Sequence, residues 1–189
     1  DVISSVLNTH PNAAKNTQSM TEPEITIRPN FLTPTAATEL YTQLRDRIDW
    51  DLRMSARKTA CYGLSYDYSG VSYQNKPMHP LLQPLCVQLA ATLGFEPNSC
   101  LINYYVDGRS KMGFHSDEID NLEANTQIII ISLGIERKLS FRSKVDYSQR
   151  RQYLLPHGSL LYMSQRTQEL WSHAIKRANV LDGRISLTF

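Results

Sequence analysis

The sequence predicts a mainly β fold with helices (α+β), in which a double-stranded β-helix, or jelly roll, is buttressed by N-terminal helices. Two observations lead to this class. Apolar residues recur at helical spacing before residue 95, and short runs of β-branched and aromatic residues follow it. The 189 residues, 41% of them hydrophobic, are enough for one substantial core. We expect a single domain over residues 24–189 and a poorly ordered polar leader over residues 1–23.

Two helices are predicted in the N-terminal half. The first begins after Thr33, whose side chain can cap a helix, and it has Pro34 in its first turn. The second spans residues 79–93 and ends at Gly94, because glycine readily adopts the left-handed conformation that terminates helices. Each helix carries an apolar stripe that would lie on the core.

Five short runs after the helices predict strands. Each run is rich in β-branched or aromatic residues, which pack well on a pleated surface. The runs are 100–106, 127–133, 138–141, 159–163 and 184–189.

Charge and cysteine content narrow the class of protein. A formal charge of +2, from 20 Lys and Arg against 18 Asp and Glu, is far from the excess that alone indicates nucleic-acid binding. The three cysteines, Cys61, Cys86 and Cys100, are odd in number and widely spaced, which is typical of reduced, buried thiols. No apolar run is long enough for a membrane span and no signal-peptide pattern is visible, so we expect a cytoplasmic protein, or a nuclear one if the source is a eukaryote, with no membrane partner.

A histidine and an aspartate stand two residues apart in the segment 113–117. In extended backbone His115 and Asp117 project to the same face, so one strand end can supply two ligands to one metal ion. His173, much later in the chain, fits a distant strand of the same sandwich. Two histidines and a carboxylate make a facial triad, which leaves positions open for a cosubstrate and O2 and favours Fe(II) over structural zinc. The alternative is an ordinary His–Asp pair, because such pairs are common.

The last predicted strand carries an arginine on a polar face. Alternation puts Arg184, Ser186 and Thr188 on one face and apolar residues on the other. An arginine inside a barrel needs an anion, and 2-oxoglutarate can supply its distal carboxylate while its keto acid end chelates iron. Asn103 and Tyr105 would add polar contacts from a neighbouring strand. Without this context the arginine would equally fit a surface strand.

Several motifs, taken in order along residues 56–189, resemble those of the AlkB family of dioxygenases. They are RKTACYG at 57–63, YDYSG at 66–70, NYY at 103–105, HSD at 115–117, ISLG at 131–134, HGSLLYM at 157–163 and RISLTF at 184–189. A set of motifs in the family's order is more specific than any one of them.

The resemblance implies a double-stranded β-helix enzyme that oxidatively removes alkyl groups from nucleobases of DNA or RNA, using Fe(II), 2-oxoglutarate and O2. It implies that His115, Asp117 and His173 hold the iron. It also implies cosubstrate contacts from the polar residues of two strands. These are Asn103, Tyr105, Arg184 and Ser186.

The resemblance also suggests substrate contacts. Tyr66 or Tyr68 would stack on an extruded base, with the ring of His115 as a second wall. Arg57 and Glu118 are the further candidates for substrate binding, and a basic belt would follow the phosphates. The belt consists of Arg137, Lys138, Arg142, Lys144, Arg150 and Arg151.

Two positions depart from the family pattern. The family motif continues with a second arginine, whereas this sequence ends at Phe189, so that residue is expected either beyond the given sequence or not at all. Ile119 stands where family members that act on nucleobases often carry an acidic residue. Two alternatives therefore stay open: the same chemistry on a small molecule or a protein side chain, and a jelly-roll binding module without catalysis. We expect a monomer in each case.

Overall fold

The computed structural model describes residues 22–64 and 70–189, which form ten strands and three helices. In chain order these are β1 (Ile25–Arg28), α1 (Pro34–Arg47), β2 (Lys58–Gly63), α2 (Gln83–Leu93), β3 (Ser99–Tyr105), β4 (Met112–His115), β5 (Ile128–Gly134), β6 (Arg137–Ser143), β7 (Arg150–Leu155), β8 (Ser159–Met163), α3 (Gln165–Leu170), β9 (Trp171–Ile175) and β10 (Arg184–Thr188). Residues 1–21 of the expected leader lie outside the described residues.

The strands make two sheets that pack as a sandwich. The larger sheet has the order β1-β8-β5-β10-β3-β2 and the smaller one β4-β9-β6-β7. Within residues 22–64 and 70–189 the strand pairs are antiparallel. The expected jelly roll supported by helices is confirmed. The short strands β1 and β7, which the sequence did not predict, lie at sheet edges, where only part of each strand is buried and the apolar pattern is weak.

The helices begin and end where their capping residues allow. Thr33 Oγ1 accepts a hydrogen bond from the Ala36 N–H at 3.2 Å and so caps α1 as predicted. Helix α2 begins at Gln83 rather than at residue 79, because Pro84 lacks an N–H and fits only the first turn. It ends as predicted at Gly94, which has φ of 82°.

Strand β5 separates two hydrophobic cores. Ile129 and Ile131 face α1 and α2 and pack with apolar residues of both helices. Ile128 and Ile130 face the smaller sheet and pack with Phe141 among others. The larger sheet is therefore covered on both faces, and polar groups on its inner face lie in a dry interior.

The three cysteines are buried thiols, as expected. No helix in the described parts of the chain is long and apolar enough to cross a membrane.

Candidate metal centre and adjoining cavity

The two histidines of the predicted triad lie side by side on adjacent strands. His115 at the end of β4 is the register partner of His173 in β9, and their ring centroids are 4.4 Å apart. Asp117 follows two residues after β4, with its Oδ1 3.6 Å from His115 Nε2 and its Oδ2 3.4 Å from His173 Nε2. Ligand bonds of about 2.0–2.2 Å can bridge these separations. The three residues, which come from two distant segments of the chain, could therefore hold a single ion.

Burial and hydrogen bonding orient the two imidazoles and set the charge of His173 and Asp117. His115 Nδ1 lies 2.9 Å from the Gly113 carbonyl, which can only accept, so Nδ1 carries a hydrogen and Nε2 is the nitrogen that faces Asp117. Burial lowers the pKa of His173 to about 4, despite the nearby Asp117, so its imidazole is neutral at neutral pH. Burial alone would raise the pKa of the Asp117 carboxyl, but the adjacent His173 and His115 hold it below its usual value.

The polar face of β10 points into a cavity shared with the three metal-ligand candidates. Arg184, Ser186 and Thr188 all line this cavity, which confirms the predicted alternation. Ser186 lies in register between Asn103 of β3 and Ser132 of β5. Two neighbouring strands, β3 and β10, therefore contribute polar side chains to one side of the cavity, and Ser132 lies next to them in the sheet.

Arg184 brings a buried positive charge to the end of this cavity. It is 1% exposed, and one guanidinium nitrogen donates to Ser132 Oγ at 2.9 Å. Its Nε and the other terminal nitrogen are buried without a hydrogen-bond partner among the described residues. Burial lowers the pKa of Arg184 to about 10. A buried cation with unused donors suits a carboxylate such as the distal carboxylate of 2-oxoglutarate, and Arg184 lines the same cavity as the three metal-ligand candidates.

Asn103 and Tyr105 line the same cavity from β3. The Tyr105 hydroxyl donates to Met112 Sδ at 3.6 Å. Asn103 Oδ1 accepts from Arg57 Nε at 2.6 Å in a buried contact. Arg57, a predicted substrate residue, thus holds the side chain of a predicted cosubstrate residue.

Of the other substrate candidates, the structure describes only Glu118. Tyr66 and Tyr68 lie outside the described residues. Glu118 directly follows Asp117 but is exposed, and the neighbouring Ile119 is partly buried.

The sequence reasoning missed Ser132, which binds Arg184. The sequence does contain a pattern that indicates this residue, because Ser132 is the one polar residue between Ile128 and Leu133. A lone serine in such a run is buried and must find a partner.

Comparison with known proteins agrees with this geometry. The family model described as "2OG-Fe(II) oxygenase superfamily" matches residues 24–189. The chain belongs to this superfamily. Fe(II) and 2-oxoglutarate are the cofactors that the description names, and the cluster of His115, Asp117 and His173 offers the metal site.

Relatives place this oxygenase among AlkB homologues, as the motifs predicted. It is 35% identical over 144 residues to "DNA oxidative demethylase ALKBH2" of Bos taurus, which covers 70% of this chain and 52% of that relative. It is 31% identical over 181 residues to "Alpha-ketoglutarate-dependent dioxygenase alkB homolog 3" of Bos taurus, covering 85% and 63% respectively. The chain thus spans about half to two thirds of the curated relatives it matches. A solved structure titled "The structure of OsALKBH1" shares the fold with a TM-score of 0.57 at 16% identity, over 89% of this chain and 98% of that one.

Proposed function

We propose that this oxygenase oxidatively demethylates alkylated nucleobases in DNA or RNA, releasing formaldehyde, succinate and CO2. The observation that carries the proposal is that one cavity holds both a two-histidine, one-carboxylate cluster and a buried arginine with unused donors. The named activity of the ALKBH2 relative supports nucleic acid as the substrate.

The proposed roles follow the cavity from end to end. His115, Asp117 and His173 hold Fe(II), and Arg184 binds the distal carboxylate of 2-oxoglutarate. Ser186 and the Asn103–Tyr105 pair orient the cosubstrate. When bound, iron, 2-oxoglutarate and O2 together supply the oxidant that hydroxylates an N-methyl group. The hydroxymethyl product then loses formaldehyde and leaves the free base.

The protein's own contribution is orientation and exclusion of water. The cluster and Arg184 sit among the apolar residues that pack between the two sheets. Charges in such a place act more strongly than in water, so a carboxylate is held in one position.

The basic belt is smaller than the sequence predicted. Arg137 is 2% exposed and donates to the backbone carbonyls of Asp107, Ser110 and Lys176, so it serves structure rather than phosphate binding. Lys144 Nζ likewise donates a hydrogen bond to the backbone carbonyl of Gln168 at 2.6 Å.

A cationic and aromatic group nevertheless lies beside the metal centre. The Arg142 guanidinium stacks over the rings of Phe114 at 4.3 Å and Tyr147 at 4.8 Å, and Phe114 directly precedes His115. Arginine and exposed aromatic rings are the usual contacts for phosphates and unpaired bases. This group supports nucleic-acid binding near the cavity. Base stacking by Tyr66 or Tyr68, substrate contacts from Arg57 and Glu118, a monomeric state and a cytoplasmic location stay predictions.

A product assay tests the proposal. The protein with Fe(II) and 2-oxoglutarate is given a mixed pool of methylated DNA and RNA oligonucleotides, and mass spectrometry follows the bases together with formaldehyde and succinate. We expect loss of specific methyl groups matched by formaldehyde. Succinate without demethylation of any oligonucleotide would indicate a small-molecule or protein substrate instead. If O2 is not consumed at all, the chain is a binding module.

A further inference from the structure

Gln168 is a buried polar residue that the sequence motifs did not single out. It lies in the short helix α3, just before the strand that carries His173, and it is 2% exposed. Its Oε1 accepts a hydrogen bond from the backbone N–H of Asp117 at 2.9 Å. The side chain therefore links the segment before one histidine to the aspartate that follows the other.

The helix that carries Gln168 is fixed at both ends. Ser164 caps its first turn by accepting from the Thr167 N–H, and Thr167 Oγ1 donates to the Glu24 carbonyl at 3.1 Å. Lys144 Nζ donates to the Gln168 carbonyl at 2.6 Å, and the Lys144 N–H donates to the Leu170 carbonyl at 2.9 Å. Gln168 therefore contacts Asp117 from a held backbone.

Asp117 depends on such contacts because it lies beyond the end of β4, outside the strand ladder. Among the described residues, two hydrogen bonds join the segment after β4 to the α3–β9 segment. One is the Asp117 N–H to Gln168 Oε1, and the other is Ser116 Oγ to the Trp171 carbonyl at 2.8 Å.

Burying the amide of Gln168 has an unfavourable free energy that packing alone does not explain. A backbone N–H can only donate, so the side chain must present its oxygen to Asp117. Its Nε2 is then buried without a hydrogen-bond partner among the described residues. An apolar residue of the same size would avoid that penalty but would leave the buried Asp117 N–H without its acceptor, so the amide oxygen serves the Asp117 backbone rather than only filling space.

We propose that Gln168 is a positioning residue for the metal-binding carboxylate: its amide oxygen holds the Asp117 backbone so that the carboxylate stands between His115 and His173. This inference rests on the proposed function of that triad. Groups outside the ligand set that orient ligands typically change metal affinity by about 10–100-fold when removed.

Anaerobic titration with Co²⁺ tests the inference without turnover. The wild-type chain is compared with Gln168→Met, which keeps the length but loses the acceptor, and with Gln168→Glu, which keeps an acceptor oxygen. Glu169→Met, on the exposed side of the same helix, is the matched control. Affinity and the visible Co²⁺ absorption spectrum, which reports ligand geometry, are measured together with the circular dichroism of each metal-free protein.

We expect Gln168→Met to weaken Co²⁺ binding by about 10–100-fold and to change the spectrum, while Gln168→Glu keeps the wild-type spectral shape and Glu169→Met matches wild type. A folded Gln168→Met protein with wild-type affinity and spectrum would overturn the inference, as would a Gln168→Glu spectrum altered as much as that of Gln168→Met. Wild-type protein that binds no Co²⁺ would instead refute the proposed metal site itself.

If Gln168→Met does not fold, amide hydrogen exchange of the wild-type chain tests the inference instead. The Asp117 amide proton should exchange slowly with solvent in the metal-free protein, because it is held by a buried acceptor. Exchange at the rate of a free loop amide would overturn the inference.

Discussion

The two ends of the cavity differ in how their charges are compensated. At the metal end, the Asp117 carboxylate lies within 3.6 Å of two imidazoles and its backbone is bound by Gln168. At the other end, Arg184 makes one hydrogen bond to Ser132 and has two buried nitrogens without partners among the described residues. The metal end is thus arranged by the protein's own contacts, whereas the arginine end keeps donors that suit an anionic ligand.

The largest effect is expected at the metal end. Asp117→Ala removes the anionic ligand of the triad. Loss of a group that only orients a ligand typically weakens metal binding by about 10–100-fold, so we expect turnover and Co²⁺ affinity to fall by more than about 100-fold here. Asp120→Ala, at a nearby exposed carboxylate, is the control and should keep both. Substantial demethylation by Asp117→Ala would remove this residue from the metal site.

Arg184→Met should separate the two ends. It removes a charge-assisted contact worth about 1.5–3 kcal/mol, so the KM for 2-oxoglutarate should rise by roughly 10–100-fold while Co²⁺ affinity stays unchanged. Steady-state kinetics and the metal titration measure the two quantities. Arg47→Met, in the exposed last turn of α1, is the control. An unchanged KM would place the cosubstrate elsewhere.

Although Arg184→Met should weaken 2-oxoglutarate binding, it should stabilise the fold when no cosubstrate is bound. In the absence of 2-oxoglutarate, Arg184 is a buried cation without an ion pair among the described residues, so Arg184→Met should raise the free energy of unfolding by about 1–3 kcal/mol. Arg137→Met is the matched comparison, because that buried arginine donates to three carbonyls and its loss should destabilise. Urea denaturation measures both. Destabilisation by Arg184→Met would mean that the arginine end is already compensated.

A smaller effect is expected from Arg57→Met. Losing the donor to Asn103 Oδ1 frees the asparagine amide, so the KM for 2-oxoglutarate should rise by about 3–10-fold, the value of one hydrogen bond of about 1 kcal/mol. The control is Lys58→Met, whose amino group lies over the Tyr104 ring instead. A rise in the KM for the oligonucleotide alone would favour the direct substrate role predicted from the sequence.

Acidification should affect the metal end of the metal-free protein. Burial lowers the pKa of His173 to about 4 in the fold, from 6.5 for a histidine in water. The unfolded chain therefore binds more protons between these values, and the free energy of unfolding should fall as pH decreases from 6.5 to 4. His173→Gln should reduce the slope of the free energy of unfolding against pH, by an amount that corresponds to at most one proton. Equilibrium denaturation at a series of pH values measures this slope. An unchanged slope would show that His173 titrates alike in both states.

The sequence predicted those features of the structure that depend on local residue patterns. The alternation of Arg184, Ser186 and Thr188 fixed the cavity-facing side of β10, and Thr33 and Gly94 marked helix ends. It misjudged Arg137, because a charged residue in a strand looks the same in sequence whether its guanidinium meets phosphate or three backbone carbonyls.

By itself, the sequence determined the ligand types, the strand faces and the order of motifs, because periodicity two in a strand fixes which residues share a side. Only the tertiary structure decided that His115 and His173 are register partners, that Gln168 reaches Asp117, and that Arg57 holds Asn103. These contacts join residues from separate segments, and a local pattern carries no information about which distant side chain completes a hydrogen bond.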